Sequence, residues 1–387
     1  MNITGIITEY NIFHNGHKYQ IDEIKKHSDA VIAVMSGSFV QRGDVAITDK
    51  WSRAKTALSG GVDLVIELPA CYALNAAPNF ATGGINILNA LGVVNNICFG
   101  SESGSIDELI SAAELLENEN SEISEKIKKY VMGGMSYPNA LTKAYSALIP
   151  SDILSEPNNI LATEYIRALI RSDSKIKPMT VKRHKAGYHD RNLYQNIASA
   201  TKLREMNRNN ENINDFIPYK LEDINCDIPY DISNLDSAII SKLRLMTAED
   251  LQNISEVTEG IENRILSSAN MSYSFETLVE NVKNKRYTTS KIRRMIISAL
   301  IGFTKDIYSP MPQYIRILGM NKVGMTILKQ AKDICKVPII TKTADFKEQS
   351  PQFNLDVRAT NIAMLCNPIP THRIGNADLK KSPIIMK

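Results

Sequence analysis

Two histidines and a glycine stand close together early in the chain, in the run Glu9-Tyr10-Asn11-Ile12-Phe13-His14-Asn15-Gly16-His17. His14 and His17 are three residues apart, so both imidazoles can lie on one side of a helix's first turn and donate hydrogen bonds there. Gly16 lets the backbone approach a ligand without a Cβ in the way. With the N–H groups of a helix N-terminus, these residues predict a polyphosphate site.

The elements around this run must bring it to the edge of a sheet. Residues 3–8 are apolar and β-branched, as in a strand, and residues 17–27 have a helical apolar face. Further strands are predicted at 30–36, 63–67, 94–99 and 178–184, with helices at 49–58 and 80–91. This alternation predicts an α/β fold with a Rossmann-like parallel sheet. Ligands of such sheets bind at the carboxyl ends of the strands, where residues 8–17 and 100–102 fall.

Two plainer interpretations of the histidine pair are open from the residues alone. Two histidines at a helix start can be an ordinary surface pair. They can also be half of a metal site, although zinc would require further Cys or His ligands, and none stands near His14 and His17 in the sequence.

The composition is that of an ordinary globular protein, with 387 residues, 43% of them hydrophobic and 22% charged. The net charge of +3 does not argue for a nucleic-acid partner, so any basic surface must be local. Five scattered cysteines without a C-x-x-C pair favour reduced thiols. Neither a secretory signal pattern nor a run of about 18 apolar residues is present, so we expect a cytoplasmic protein.

The second half of the chain has a different pattern. From about residue 215 the periodicity is helical, and the polar run NRNNENIND precedes it. We therefore predict a catalytic domain over 1–210 and a mainly α-helical domain over 211–387. Residues 283–294 carry six basic residues and no acidic one, which suits a nucleic-acid backbone, and Tyr287 can stack on a base. By composition alone, a solvated helix start is slightly favoured.

Several longer runs make the chain recognisable. FHNGH is similar to the H-x-G-H signature of the nucleotidyltransferase superfamily, and residues 199–204 (SATKLR) resemble its second motif, with Ala where Ser is common. Together with GIITEYNIFHNGH, the chain contains MSGSFVQRGDVAITDKWSRAKTAL, GVDLVIELP, FGSESG, PNNILATEY and VKRHKAGYHD. In these runs it resembles the tRNA(Met) cytidine acetate ligase family, strongly over residues 1–205 and more weakly beyond. Ile12 departs from the pattern, which has proline there.

The resemblance implies an ATP-dependent ligase that also binds RNA. Members activate acetate with ATP, giving acetyl-adenylate, and then acetylate N4 of the wobble cytidine of elongator tRNA(Met). Mg²⁺ is expected to arrive with the nucleotide, and His14 and His17 are the expected catalytic residues. The ATP site implied by the resemblance comprises Ile7, Thr8, Glu9, Tyr10, Asn11, Ile12, Phe13, His14, Asn15, Gly16, His17, Lys18, Tyr19, Gln20, Gly100, Asn158 and Arg183.

Other polar and charged residues are candidates for the same reaction. Ser199, Thr201 and Arg204 belong to the second motif, which implies contacts to the β- and γ-phosphates. Helix caps and solvated charges are the plain alternatives for all of these positions. Possible contacts to substrate or tRNA are Arg42, Asp49, Lys50, Arg53, Lys285, Arg286, Arg293 and Arg294.

Two rival functions are compatible with the same motifs. An adenylyltransferase for a phosphorylated small molecule, of the nicotinamide mononucleotide or phosphopantetheine type, would use the same histidines and need no tRNA surface. A non-catalytic RNA-binding protein with a vestigial nucleotide site would explain the basic run. The intact His14, Gly16, His17 and Arg204 argue against such decay.

Overall fold

The computed structural model describes residues 1–183, 197–209, 211–221, 229–258, 260–346 and 348–387. Its strands are β1 (Ile3–Thr8), β2 (Ala30–Ser36), β3 (Phe39–Val40), β4 (Asp44–Val45), β5 (Leu64–Leu68), β6 (Asn96–Ser101), β7 (Lys177–Lys182), β8 (Ile315–Met320), β9 (Ile339–Ile340) and β10 (Ile384–Ile385). Its helices in the first half are α1 (Asn15–Lys25), α2 (Lys50–Ser59), α3 (Ala70–Ala73), α4 (Ala77–Leu91), α5 (Ile106–Glu117), α6 (Ser121–Met132), α7 (Tyr137–Tyr145), α8 (Ser151–Ser155) and α9 (Pro157–Arg171). The later helices are α10 (Ala200–Arg208), α11 (Asp236–Arg244), α12 (Ala248–Gln252), α13 (Ile261–Met271), α14 (Phe275–Val282), α15 (Thr289–Ile301), α16 (Lys322–Ala331), α17 (Pro351–Met364) and α18 (Ala377–Lys380).

One sheet organises these elements, in the strand order β10-β8-β5-β2-β1-β6-β7, with β9 paired to β8. The central strand β1 is parallel to β2 and β6, and the pairs β2–β5 and β6–β7 are also parallel. The apolar run of β2, AVIAVMS, is buried along its whole length, as a strand covered on both faces must be. The predicted parallel α/β sheet is therefore confirmed.

Helices cover both faces of the sheet. Successive side chains of a strand point to opposite faces, so β2 contributes to two cores. Ile32 and Val34 pack in the core that contains residues of α4 and α9, whereas Val31 and Ala33 pack with residues of α1 and α2. Helices thus hold the sheet on both faces, and the loops at the carboxyl ends of its strands are left free to form a binding site.

The second part of the chain contributes strands to the same sheet. β8 pairs antiparallel with β5, while β9 and β10 pair parallel with β8. The helical periodicity beyond residue 215 did not predict these strands, because a short apolar run such as that of β8 cannot be told from a buried helical segment. The predicted limits at residues 210 and 211 stay a prediction.

A buried cluster of charges joins the two parts of the chain. Lys50 Nζ lies 2.6 Å from Glu67 Oε1 and 2.8 Å from Asp378 Oδ1. Arg316 Nη1 lies 3.2 Å from Glu67 Oε2 and also binds Asp378. Lys50 is 0% exposed, so these opposite charges must neutralise one another in place of water. We call Lys50, Glu67, Arg316 and Asp378 the buried charge cluster.

The sequence predicted that the chain has no membrane span and that its cysteines are reduced. In the described ranges, no helix combines the length and apolar character needed to cross a bilayer. The described cysteines, Cys71, Cys98, Cys335 and Cys366, are free thiols. Burial raises the pKa of Cys98 to about 12, so its thiol stays protonated. Cys226 lies outside the described residues.

Candidate active site

The predicted histidine run lies where β1 ends and α1 begins, and two adjoining cavities open beside it. The first cavity, of about 230 Å³, includes Tyr19, Val181, Ile197 and Ser199 in its wall. The second cavity, of about 300 Å³, extends over the carboxyl end of β1 towards Arg42 and Arg204. Both cavities are lined by His14, His17, Gln20, Gly100, Asn158 and Arg183. They therefore form one site at the carboxyl edge of the sheet.

A reciprocal capping arrangement at the start of α1 orients the two histidines. The Gly16 N–H donates to His14 Nδ1 over 3.0 Å, and the His14 N–H donates to His17 Nδ1 over 3.2 Å. The two rings stack with their centroids 3.8 Å apart. Because each Nδ1 accepts a hydrogen bond, each neutral ring carries its proton on Nε2. The cap therefore leaves two N–H donors for a ligand in the cavities.

Burial keeps both imidazoles neutral. Burial, assisted by the cations Arg183 and Arg204, lowers the pKa of His14 to about 4. Burial, with His14 and Arg183 nearby, lowers the pKa of His17 well below its ordinary value. The site thus offers neutral hydrogen-bond donors, whose positions are fixed before any ligand binds.

We expect both rings to be in the neutral Nε2–H form at pH 6.5, where an unperturbed histidine is half protonated, because burial lowers the pKa of both. Nitrogen-15 NMR of histidine-labelled protein measures both the tautomer and the titration. The unfolded chain takes up protons on these rings below about pH 6.5, whereas His14 in the folded protein does so only near pH 4. The contribution of His14 to stability is therefore complete above about pH 6.5 and declines as the pH falls towards 4, and that of His17 changes in the same direction. Protonation of either ring near pH 6.5 would contradict this assignment.

Aromatic rings support His17 from the protein interior. The Tyr10 ring centroid lies 4.9 Å from that of His17 and 4.8 Å from that of Phe13. Tyr10 and Phe13 are buried, and burial raises the pKa of the Tyr10 hydroxyl. Much of the Glu9–His17 run therefore serves to hold the histidines, with the imidazoles themselves facing the cavities.

The turn before His14 is held by hydrogen bonds from distant elements. Asn11 Oδ1 accepts from the Ile47 N–H over 2.7 Å, and Arg204 donates to the Asn11 carbonyl oxygen. Ile12, which stands where the resembling pattern has proline, packs in a buried cluster with Leu203 of α10. Tertiary contacts thus fix this turn without the proline.

Gly100 and Asn158 form part of the wall opposite α1. Glu102 accepts hydrogen bonds from the Asn158 side chain and, over 2.8 Å, from the Asn159 N–H. In return, Asn159 Oδ1 accepts from the Glu102 N–H over 2.9 Å. These bonds lock the end of β6 to the start of α9. A Cβ on Gly100 would lie 3.1 Å from Arg183 Cγ, so glycine leaves room for that arginine.

The second motif, at the start of α10, faces the same site. Ser199 caps α10 by accepting from the Lys202 N–H over 3.2 Å, and it lines the first cavity. Thr201 and Arg204 line the second cavity, where Arg204 Nη2 donates to Thr201 Oγ1 over 3.0 Å. The fold thus brings residues 183 and 199–204 to the histidines, while residues 184–196, with most of VKRHKAGYHD, lie outside the described residues.

The second cavity continues into a trough of about 440 Å³ between α10 and the start of α15. We call this surface the basic trough. Glu9 Oε1 accepts from the Gln41 N–H over 2.7 Å and so holds the loop that carries Arg42, and burial raises the pKa of Glu9. The residues that line the basic trough are Arg42, Asp44, Thr201, Arg204, Glu205, Arg208, Asn209, Ser290 and Arg293. The first four of these also line the second cavity.

Three residues predicted to contact substrate or tRNA have other partners in the fold. Lys50 has no exposed surface and belongs to the buried charge cluster, so the prediction of a direct contact was wrong for it. Arg53 is buried and donates to the backbone oxygens of Glu9 and Ser36. Asp49 caps α2 by accepting from backbone N–H groups of its first turn. These charges stabilise the α2 end of the site instead of lining it.

The basic run at the start of α15 divides into two groups. Arg294 is buried and pairs with Glu256, its Nη2 lying 2.8 Å from Oε1. Arg293 is mostly buried but lines the basic trough. Lys285 and Arg286 are exposed. Arg294 therefore has a structural position, whereas the others remain proposed nucleic-acid contacts.

The site also contains residues that motif reasoning missed. Glu102 is one, although it stands at the predicted strand end in FGSESG, which was the available signal. The other group is an apolar wall of the second cavity, for which there was no signal because apolar residues in helices and strands usually belong to the core. This wall consists of Phe80, Phe99, Leu161 and Tyr165.

Known proteins are similar to this chain over its whole length. A family model described as HIGH Nucleotidyl Transferase matches residues 1–378. A tRNA(Met) cytidine acetate ligase of Clostridium novyi is 40% identical over 100% of both chains, and one of Acetivibrio thermocellus is 38% identical over 100% of both. The chain belongs to the tRNA(Met) cytidine acetate ligase family. The resemblance seen in the sequence is confirmed.

Solved structures also match this fold. The crystal structure of Thermotoga maritima TmcAL bound with alpha-thio ATP matches this fold with a TM-score of 0.91, at 32% identity and with 100% of both chains covered. Its apo form also matches with a TM-score of 0.91. The nucleotidyltransferase-type fold predicted for the family is therefore confirmed.

Proposed function

We propose that this protein activates acetate with ATP and acetylates N4 of the wobble cytidine of elongator tRNA(Met). One observation carries the proposal: two stacked histidines at the N-terminus of α1 line a cavity that continues into a basic trough. The cavity suits a nucleotide triphosphate, and the trough suits the backbone of a much larger anion. The names of the relatives supply the identity of that anion, tRNA(Met).

ATP occupies the first cavity in this proposal. Its adenosine lies against the apolar surface that includes Val181 and Ile197, and its phosphates approach His14 and His17. Arg183 is present in both cavities and can form forked hydrogen bonds to phosphate oxygens. Ser199, Thr201 and Arg204 extend the cationic and polar wall towards the β- and γ-phosphates.

The first chemical step needs no protein nucleophile. An acetate oxygen attacks the α-phosphorus of ATP, the new O–P bond forms, and the bond to the bridging oxygen breaks to release pyrophosphate. Charge grows on the phosphate oxygens as pyrophosphate leaves, and the two imidazole N–H groups are aimed at that region. Catalysis is then mainly orientation and stabilisation of charge.

The second step transfers the acetyl group to the cytidine. The N4 amine attacks the acetyl carbonyl carbon and the N–C bond forms. The C–O bond to the phosphate breaks to release AMP, and the proton of the amine passes to water or to the AMP phosphate. The second cavity provides the place for this step, because its apolar wall of Phe80, Phe99, Leu161 and Tyr165 suits a methyl group. The basic trough gives the tRNA a cationic approach to the same cavity.

The reaction also implies a magnesium ion and a cytoplasmic location. No cluster of three or more His, Cys, Asp or Glu able to hold a metal ion occurs in the part of the chain that the structure describes. Mg²⁺ is therefore proposed to arrive bound to the nucleotide phosphates, where it commonly retains several waters. A reaction that consumes ATP and tRNA belongs in the cytoplasm.

The direct test combines the purified protein with ATP, labelled acetate and tRNA. Nucleoside analysis should recover label as N4-acetylcytidine from elongator tRNA(Met), and acetate should drive exchange between pyrophosphate and ATP. Acetate-independent exchange driven by nicotinamide mononucleotide or phosphopantetheine would favour a small-molecule adenylyltransferase. Binding of tRNA without any turnover of ATP would favour the non-catalytic alternative.

The role proposed for the basic trough in tRNA binding can be tested separately at Arg208. Arg208 has a side chain 46% exposed and lines the trough, but it lines neither cavity of the candidate active site. Arg208→Glu should raise the KM for tRNA about tenfold, since it removes one phosphate contact and adds repulsion, while acetate-dependent pyrophosphate exchange stays unchanged.

The matched control is Lys202→Glu, on the same helix. Lys202 is 54% exposed and does not line the trough, so the same change of charge there should have a smaller effect on the KM for tRNA. Equal effects of the two variants would indicate general charge repulsion and remove the trough from the path of the tRNA.

A further inference from the structure

A third cavity, of about 630 Å³, lies between the α6–α7 connection and the start of α15. Among the described residues, those lining it are separate from those of the two active-site cavities and the basic trough. We call it the α7–α15 pocket. Its lining comprises Ala76, Val131, Met132, Met135, Tyr137, Pro138, Glu256, Arg286, Tyr287, Thr288, Lys291 and Arg294.

One wall of the α7–α15 pocket is apolar and open to solvent. Met132 is 86% exposed, Tyr137 is 58% exposed and Val131 is 38% exposed. Three large apolar side chains exposed within seven residues form a patch of the kind that usually contacts a ligand or partner. Tyr137 presents a ring that an aromatic ligand can stack against.

The opposite wall is cationic. Arg286 is exposed, and Lys291 lies over the Tyr287 ring with its Nζ 5.1 Å from the centroid. The carboxylate of Glu256 is paired with Arg294, so its charge is already neutralised. The first turn of α15 has no acidic residue, and the N-terminal N–H groups of a 13-residue helix add positive potential. The wall therefore attracts an anion.

We propose that the α7–α15 pocket binds an unpaired nucleotide of the tRNA, at a second site outside the catalytic cavities. The base stacks on Tyr137 beside Met132, and Arg286 and Lys291 contact the flanking phosphates. This combination of aromatic and cationic walls is the one that single-stranded nucleic acids require. The identity of the partner as tRNA rests on the proposed function.

The position of α15 connects this pocket with the reaction. Ser290 and Arg293 line the basic trough, while Lys291 and Arg294 line the α7–α15 pocket. The first turns of one helix, about 10 Å across, therefore separate the two surfaces. An RNA strand that crosses the start of α15 can place one nucleotide in the pocket and present another to the trough. The pocket thereby sets which nucleotide reaches the acetyl group.

The test replaces the stacking ring. Tyr137→Ala should weaken tRNA binding, measured by fluorescence anisotropy, about tenfold, because base stacking on an aromatic side chain has an effect of that order. Tyr137→Trp should restore binding, and acetate-dependent pyrophosphate exchange should be unchanged in both variants. The matched control is Tyr273→Ala, because Tyr273 is 82% exposed and lies outside the pocket.

The outcomes separate this inference from the proposed function. Wild-type affinity for tRNA in Tyr137→Ala would overturn the pocket while leaving acetylation intact. A dimer of the wild type that Tyr137→Ala dissociates, with tRNA binding unchanged, would assign the patch to a second copy of the chain and would also overturn it. If the wild type bound tRNA through Tyr137 but failed to acetylate it, the pocket would stand and the proposed reaction would fail.

Discussion

His17→Ala should slow acetate-dependent ATP–pyrophosphate exchange roughly a hundredfold, because loss of one donor to a developing anion typically costs about 3 kcal/mol. The His17 ring lines both cavities and carries its proton on Nε2, on the side away from the cap. Its loss removes a hydrogen bond that strengthens as pyrophosphate leaves. The effect should therefore fall mainly on kcat and less on the KM for ATP.

The control must separate catalysis from folding, since His17 Nδ1 also accepts from the His14 N–H. Losing that cap costs about 1 kcal/mol, which is small beside the expected effect on rate. His27→Ala, at an exposed position just beyond α1, should exchange at the wild-type rate. Near-normal exchange in His17→Ala, with circular dichroism unchanged, would defeat the assignment of this histidine.

Lys50→Met should lower the free energy of unfolding by about 3–5 kcal/mol, the cost of leaving buried charges without a partner. The change keeps most of the side-chain volume but removes the cation that lies within 2.8 Å of both Glu67 and Asp378. Arg316 would then face two carboxylates alone. Urea denaturation followed by fluorescence measures the effect locally, because Trp51 is the only tryptophan of the chain and is buried beside Lys50.

The matched control for this change is Lys55→Met, on the same helix. Lys55 is exposed, so its replacement should alter stability by less than about 0.5 kcal/mol. If both variants unfolded at the same urea concentration, the buried charge cluster would not be a net source of stability. A loss in Lys50→Met alone would show that the ion pairs of Lys50 with Glu67 and Asp378 help to hold α2.

Local sequence was sufficient for the parallel strands β1, β2, β5, β6 and β7, for helices α1, α2 and α4, and for the histidine run. The apolar runs at 3–8 and 30–36 became β1 and β2, because strands buried on both faces need continuous apolar residues. His14, Gly16 and His17 lie at the helix start that their spacing predicted. These features depend on neighbours in the chain, and so a pattern over a few residues can specify them.

The sequence by itself therefore determined a parallel α/β fold, a helix start that carries His14, Gly16 and His17, and the family. Only the tertiary structure decided which charges face a ligand. Lys50 and Arg294 appeared to be as available as Arg208 in the sequence, yet two of the three are buried in ion pairs with Asp378 and Glu256. The same holds for Tyr137, whose exposed ring meets α15 across a pocket. A side chain's partners across the fold are distant in sequence, so no local pattern contains them.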